Sequence, residues 1–305
     1  MSKESLRAFA AYIKSNERKN VILDTDAYNE VDDQFCITYL MKRPEEINLL
    51  SINAAPFFNS NSTGPADGME RSYEEILKLR SMIDPESTVP VYRGSAGFLT
   101  DRFTPIESDA CDNIIQTVMG TTEKVIIIAI GAITNVASAL LKCPEIANRA
   151  SVIWLGGHAL HLPHVPGRGV EFNLRGDIPA AQVVFDSGID LVQIPCKGVC
   201  SAMTTTYHEL EYYLRGKNEV SDYLIDIVKA VSAHKYAGSR VIWDVSAATV
   251  LLCPDACWLQ ERPCPVIEDD GRYVTDENRH SYLYVQHLVR DAYFADLFRT
   301  LADER

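Results

Sequence analysis

The acidic residues that follow the first apolar run of the chain have the types and spacing best suited to chemistry. Asp24 and Asp26 follow residues 21–23, and the doublet Asp32 and Asp33 comes shortly afterwards. Four carboxylates gathered in a low-dielectric crevice repel one another unless protons or a cation neutralise them. Capping of a helix would explain one of these residues but not four. The simplest prediction is a hard divalent cation bound by oxygen ligands.

Three later residues carry side chains that could join such a site. Glu171 and Asn173 lie two positions apart, so in an extended chain they point to the same side and could enter one cleft. Asp244 stands before an apolar helical stretch, where an aspartate alone indicates only a helix N-cap. The run 125–130 continues through Gly131 towards a helix, a pattern common in α/β proteins.

Strand-like apolar runs alternate with helix-like segments through the first two thirds of the chain. This alternation predicts an α/β fold with a mostly parallel open sheet flanked by helices. The predicted strands are residues 21–23, 49–53, 89–92, 125–130, 152–155 and 191–195, and the predicted helices are 32–41, 69–82, 112–119, 135–141 and 179–186. Ligands of such sheets bind at the carboxyl ends of the strands, where the acidic residues fall.

The last third of the chain has a different pattern. It predicts a long helix over residues 208–234, a helix over 244–252, a small hairpin over 266–274 and a closing helix over 285–301. Asp270-Gly271 supplies the positive φ angles of a tight hairpin turn. No low-complexity linker interrupts the sequence, so residues 1–305 are predicted to form a single α/β domain.

The composition limits the classes of partner. A formal net charge of −13, with no cluster of Lys and Arg, argues against nucleic acid and favours a small molecule. Eight cysteines in a chain whose first 19 residues are polar and charged indicate reduced thiols and a cytoplasmic location. No apolar run reaches the ~18 to 20 residues of a membrane span, so no membrane partner is expected.

Taken together, these segments resemble the inosine-uridine-preferring nucleoside hydrolases, over about residues 21–301. The aspartate cluster is the most specific match, and four further segments look like family blocks in the family's order: residues 90–94, 130–135, 155–157 and 171–173. The resemblance implies an enzyme that hydrolyses the N-glycosidic bond of a ribonucleoside to ribose and free base. It also implies a homo-oligomer, a dimer or tetramer.

The resemblance further implies a role for each site residue. A calcium ion would be held by Asp26, Asp33, the backbone carbonyl of Ile130 and Asp244, an all-oxygen set that suits Ca²⁺. Asp26 would also take a proton from the attacking water. Asp32 and Asn173 would hold the 2′ and 3′ hydroxyls of the ribose, and Glu171 the 5′ hydroxyl.

Two departures from the family pattern concern the substrate pocket. Five residues, 27–31, separate Asp26 from the doublet where the family usually has three, and they could place Asn29 or Glu30 in the sugar pocket. Trp243 stands where many members have a histidine that assists the leaving base. It could stack on the base and so make the base easier for solvent to protonate, or it could simply be part of the core.

Several further assignments stay open at the level of sequence. His158, His161 and His164 are alternative acids for the leaving base, or ligands of a transition metal. Asn53 or Asn59 could replace an asparagine that the family has in that region. The paired Cys spacings 196/200 and 253/257 allow a zinc site, although most free cysteines are core residues.

Two other functions fit parts of the pattern. Asp24-Thr25-Asp26 after a strand is also typical of a haloacid-dehalogenase-type phosphatase, which uses Mg²⁺, but that interpretation leaves Asp32, Asp33 and Glu171 without a role. A non-catalytic riboside-binding protein with the same pocket would account for the missing histidine.

Overall fold

A computed structural model describes residues 3–305 and is built around one twisted eight-stranded sheet. The strand order is β3-β2-β1-β4-β5-β6-β12-β9, and every neighbouring pair is parallel except β12 and β9. These strands are β1 (Lys19–Thr25), β2 (Ile47–Ala54), β3 (Val91–Arg93), β4 (Val125–Ala129), β5 (Ala150–Leu155), β6 (Asp190–Ile194), β9 (Cys257–Pro263) and β12 (Ser281–Leu288). The predicted α/β fold with a mostly parallel sheet is confirmed.

Helices cover both faces of the sheet. They are α1 (Lys3–Ile13), α2 (Asp33–Met41), α3 (Pro65–Ile83), α4 (Asp109–Met119), α5 (Thr134–Lys142), α6 (Phe172–Gly176), α7 (Ile178–Asp186), α8 (Tyr207–Leu214), α9 (Glu219–Ser232), α10 (Val245–Leu252) and α11 (Arg290–Leu301). Within residues 3–305, no helix has both the length and the apolarity needed to cross a membrane.

Side chains of the central strands point alternately to the two faces of the sheet and so contribute to the hydrophobic core on each face. In β1, Val21 and Leu23 pack with α2, α3 and α10, whereas Ile22 points to the opposite face, where α4, α5 and α7 lie. In β4, Ile126 and Ile128 belong to the first core and Ile127 to the second. Successive side chains of a strand point to opposite faces, so a run buried on both sides is apolar throughout. This burial fixes the ends of β1 and β4 at one edge of the sheet.

Two short antiparallel pairs complete the fold. One is β7 (Thr204–Thr205) with β8 (Arg240–Val241), and the other is β10 (Val266–Ile267) with β11 (Tyr273–Val274). The second pair is the predicted C-terminal hairpin, and Gly271 takes the positive φ of +80° that its turn requires.

The predictions for the last third of the chain are partly wrong. The closing helix begins at Arg290, not at residue 285, because residues 281–288 form β12 between β6 and β9. The predicted helix 208–234 is two helices, since the chain turns at Gly216 with a φ of +73° and Asn218 caps α9. Strand β9 and helix α1 were not predicted.

Candidate active site

A pocket of about 250 Å³ opens at the carboxyl ends of the central strands. Its walls come from the segments that follow β1, β4, β5 and β6 and from the start of α10. The lining residues include most of the predicted site: Asn29, Glu30, Asp32, Ile130, Glu171, Asn173, Trp243 and Asp244. The sheet edge therefore brings together residues from distant parts of the sequence, as a parallel α/β sheet does at its ligand-binding edge.

A cluster of buried carboxylates lies at the pocket, which Asp32 and Asp244 line and Asp26 and Asp33 do not. Carboxylate oxygens of Asp32, Asp33 and Asp244 lie within 4.8 Å of one another, which makes these residues the only group of metal-ligand type found within residues 3–305. Helices α2 and α10 pack together, and this contact brings Asp244 to the doublet. Asp26 lies beside the cluster and is only 1% exposed.

Several oxygens of this cluster have no hydrogen-bond partner. Both carboxylate oxygens of Asp26 are buried without one, as are Oδ1 of Asp32 and Oδ2 of Asp33. Asp33 accepts from the Thr25 hydroxyl, and Asp32 accepts from the backbone N–H of Trp243 at 3.0 Å. Buried polar atoms normally have partners, so these free oxygens fit the residues that would hold a cation.

The raised pKa values of the four carboxylates also fit a cation site. Burial, followed by the charges of Asp33 and Asp32, raises the pKa of Asp26 well above its usual value. Burial is also the main reason that the pKa values of Asp32 and Asp33 rise to about 6 and that the pKa of Asp244 rises well above normal. A bound cation would reverse these shifts, because it favours the ionised form of each carboxylate.

Asp24, the first aspartate of the chain's acidic run, has a structural role. Its carboxylate accepts from the Asn135 amide at 2.8 Å, and burial raises its pKa to about 7. Asn135 also accepts from the backbone N–H and the hydroxyl of Ser95. The side chain of Asn135 therefore joins β1 and α5 to the segment after β3, and this arrangement was not anticipated.

Glu171 is held by the backbone around it. Its carboxylate accepts N–H bonds from Asn173, Leu174 and Gly157 at 2.8 to 3.0 Å, and the first two of these cap α6. Burial still raises its pKa. Glu171 thus anchors one wall of the pocket.

Asn173 connects that wall to the strands. Its Nδ2 donates to the carbonyls of Ile130 and Leu155, both at 2.9 Å. The amide oxygen is therefore the atom of Asn173 that is free to meet a ligand. The Ile130 carbonyl, expected as a metal ligand, lies next to this amide.

The residues of the insertion before the doublet form the rim. Glu30 pairs with Arg240, and burial raises the pKa of Glu30 to about 7. Asn29 lines the pocket and accepts from Asn59 Nδ2 at 2.6 Å, whereas Asn59 itself is not part of the lining. Asn53 lies inside β2 and accepts from Asn113.

The three histidines do not come together on one metal. His158 lines the pocket, and His161 is exposed. His164 lines a neighbouring cavity, and its Nε2 lies 3.4 Å from Oδ2 of Asp270. The eight cysteines are free thiols.

Sequence reasoning missed the basic residues of the pocket. Arg168, Arg175 and Lys197 all line it. Arg168 and Arg175 flank Glu171 in the sequence, which was the one available signal, whereas Lys197 follows β6 and nothing in its spacing distinguishes it from other surface residues.

Comparison with known proteins gives consistent matches. The family model described as inosine-uridine preferring nucleoside hydrolase matches residues 21–295. The non-specific ribonucleoside hydrolase RihC of Escherichia coli (strain SMS-3-5 / SECEC) is 38% identical over 281 residues, which cover 85% of this chain and 86% of that protein.

Two solved structures share the fold. A plant nucleoside hydrolase, the PpNRh1 enzyme, has a TM-score of 0.76 at 18% identity and covers 93% of this chain and 99% of its own. The purine-preferring ribonucleoside hydrolase from Gardnerella vaginalis has a TM-score of 0.76 at 20% identity. That match covers 94% of this chain and 99% of the Gardnerella chain.

Proposed function

Because the chain belongs to the inosine-uridine preferring nucleoside hydrolase family and is a ribonucleoside hydrolase, we propose that it acts with calcium at the carboxylate cluster. Asp26, Asp33, Asp244 and the Ile130 carbonyl would hold the ion. The observation that carries this proposal is the set of buried carboxylate oxygens without partners beside the pocket. The match with the hydrolase family supports hydrolysis over the phosphatase interpretation.

Asp32 has a position that suits either of two roles. It belongs to the group of close carboxylates with Asp33 and Asp244, and it also lines the pocket. One oxygen accepts from the Trp243 N–H, so the other is free for an ion or for a sugar hydroxyl. We assign it to a ribose hydroxyl beside the ion.

In the proposed reaction, a bound calcium ion would position a water molecule and lower its pKa. Asp26 accepts the proton of the attacking water, since neither of its oxygens is used elsewhere in the protein. Asp32 and the free oxygen of Asn173 orient the 2′ and 3′ hydroxyls of the ribose. The water oxygen then bonds to C1′ as the C–N bond breaks, through an oxocarbenium-like transition state.

The other lining residues position the substrate. Trp243 stacks on the base, and Asn29 and Glu30 close the pocket from the insertion, with Asn59 holding Asn29 in place. Glu171 would contact the 5′ hydroxyl. We further propose a single-domain, cytoplasmic homo-oligomer, a dimer or tetramer; free thiols at all eight cysteines support the location.

The test is ribose release from a panel of common ribonucleosides, measured as reducing sugar. We expect release with calcium, loss of activity after treatment with a chelator, and recovery when calcium is added back. Activity that survives chelation would disprove the role of the ion. Absence of ribose from every nucleoside in the presence of calcium would disprove the reaction.

A further inference from the structure

A second cavity, of about 170 Å³, lies beside the main pocket and is named here the side pocket. Its walls include four phenylalanines, Phe57, Phe58, Phe98 and Phe172, together with the guanidinium of Arg175. Phe172 and Arg175 also line the main pocket, so the two cavities meet at α6. A ligand bound in the main pocket can therefore extend past these two side chains into the side pocket.

Helix α6 relates the side pocket to the ribose. Glu171, which contacts the 5′ hydroxyl in the proposed function, stands immediately before this helix, and Arg175 lies one turn later. At the end of the helix, a Cβ added to Gly176 would lie 3.8 Å from Cε1 of Phe98, so the helix ends against the side pocket. In a riboside, C1′ and C4′ flank the ring oxygen on opposite sides. A ribose whose C5′ faces Glu171 therefore directs C1′ and its base away from Glu171, towards Arg175.

The size and lining of the side pocket suit one flat ring. An apolar cavity of roughly 150 Å³ accommodates a benzene ring, so this cavity has room for a six-membered ring but not for a nucleoside. Phe58 is 59% exposed, and within residues 3–305 neither Phe58 nor Phe98 stacks on another aromatic ring. Their faces are available to a ligand ring. A purine can keep its five-membered ring beside Trp243 and place its six-membered ring here, whereas a pyrimidine has only one ring.

Arg175 is held at the junction of the two cavities with some of its donors unused. Its Nη1 donates to the carbonyls of Arg168 and Val170, both at 3.3 Å, and its guanidinium carbon lies 5.5 Å from the centre of the Phe172 ring. Its Nε and Nη2 have no acceptor within residues 3–305. Arginine pairs with O6 and N7 of a 6-oxopurine, which both accept, whereas adenine has a donor at position 6. The unused donors therefore favour a 6-oxopurine.

We propose that the side pocket holds the six-membered ring of a purine and that Arg175 donates to its O6 and N7, which makes 6-oxopurine ribonucleosides the preferred substrates. This inference rests on the proposed function, which fixes the ribose between the carboxylate cluster and Glu171. It adds the class of base and the residues that select it.

The contact with Arg175 also favours departure of the base. As the water oxygen bonds to C1′, the electron pair of the C1′–N9 bond leaves with the purine, and the negative charge is shared with N7 and O6. Donation from Arg175 stabilises this developing charge in a pocket where Trp243 offers no acid. One water proton goes to Asp26, and the purine takes up a proton from solvent. The products are ribose and the free 6-oxopurine.

The experiment compares kcat/KM for inosine, adenosine and uridine in the presence of calcium. We expect inosine to be preferred over both by about tenfold or more, and Arg175→Gln to reduce the preference for inosine over adenosine about tenfold. Phe58→Ala should reduce the preference for inosine over uridine about fivefold, since the ring loses a stacking face. Both side chains are exposed, so folding should be preserved.

Two matched control variants lie away from both cavities. Phe103→Ala removes a phenylalanine that is 80% exposed and lines a different cavity, and Arg149→Gln removes an exposed arginine just before β5, at the amino ends of the strands. Neither control should change either preference. An unchanged preference for inosine over adenosine in Arg175→Gln, or a wild type that prefers uridine, would overturn the proposal.

Binding measurements separate this inference from the proposed function. Titration calorimetry of the Asp26→Asn variant should show that inosine binds about tenfold more tightly than adenosine, and that adding Arg175→Gln removes the difference. If the wild type hydrolyses no nucleoside, the proposed function fails, while this comparison still decides the role of the side pocket. Equal binding of inosine and adenosine to the Asp26→Asn variant would overturn the proposal.

Discussion

Without its metal, this protein should become less stable as the pH rises, and Asp32→Asn should cancel part of that loss. Burial, and then the charge of Asp33, raise the pKa of Asp32 from 3.8 to about 6. A group whose pKa is higher in the folded state contributes stability below its unfolded pKa and loses it as the pH rises through the folded value. The loss therefore falls between about pH 4 and pH 6.

The magnitude follows from the same two values. A carboxyl pKa raised from 3.8 to about 6 corresponds to roughly 3 kcal/mol, because one pKa unit is about 1.4 kcal/mol. For a chain of this length, that free energy corresponds to about 5 °C in Tm. Calcium at about a hundred times its Kd would restore about 2.7 kcal/mol to the wild type.

The assay is scanning calorimetry in chelator at pH 4.5 and pH 7.5, repeated with calcium. At the higher pH, metal-free Asp32→Asn should melt about 5 °C above metal-free wild type, with little difference at the lower pH. Calcium should stabilise the variant less than the wild type. The control Asp255→Asn, at an exposed aspartate, should behave as wild type at both pH values. A lower Tm for metal-free Asp32→Asn at pH 7.5 would refute this reasoning.

Three further substitutions test the site and its support. Asp26→Asn should reduce kcat by about 10² to 10⁴ while ribose still raises the Tm, since the variant loses the proton acceptor and keeps the pocket; unchanged kcat would contradict this role. Trp243→Ala should weaken substrate binding more than Trp243→Phe, and equal KM values would argue that Trp243 is only a packing residue. Gly157→Ala should lower the free energy of unfolding in urea by more than about 1 kcal/mol, because Gly157 has a φ of +76° and its added Cβ would lie 1.8 Å from Tyr273 Oη. Gly64→Ala, where nothing lies within 4 Å of that position, is the control and should change it by less than about 0.5 kcal/mol.

The central sheet could be predicted because its strands have a simple sequence signal. Runs such as Val125–Ala129 are apolar throughout and bounded by turn residues, as strands buried on both faces must be. Strand β12 has no such signal. Its sequence mixes Tyr, Leu and His, Gln286 and His287 near its end are exposed, and it leads almost directly into α11, so its pattern resembles a helical period that continues across the boundary.

The candidate site was predictable only where its residues are close in sequence or belong to a recognisable motif. The spacing of Asp26, Asp32 and Asp33 indicates a shared cation, but Asp244 by itself indicates only a helix cap. Its approach to the cluster depends on the packing of α10 on α2, which no local pattern encodes. The same holds for Arg168, Arg175 and Lys197, because these cations come from separate segments and line one pocket only after folding.

Asp32 and Asp244 occupy the N-cap positions of α2 and α10, yet neither side chain bonds to its helix, whereas Ser108, Asp177 and Asn218 do cap theirs. Neither aspartate therefore caps its own helix, although aspartate is among the best N-cap residues. Selection for stability alone would turn them inward to their own backbones or replace them with neutral residues. Thermostable variants chosen without an activity screen should therefore accumulate substitutions at these two positions. Those substitutions would raise the free energy of unfolding and reduce catalysis at the same time.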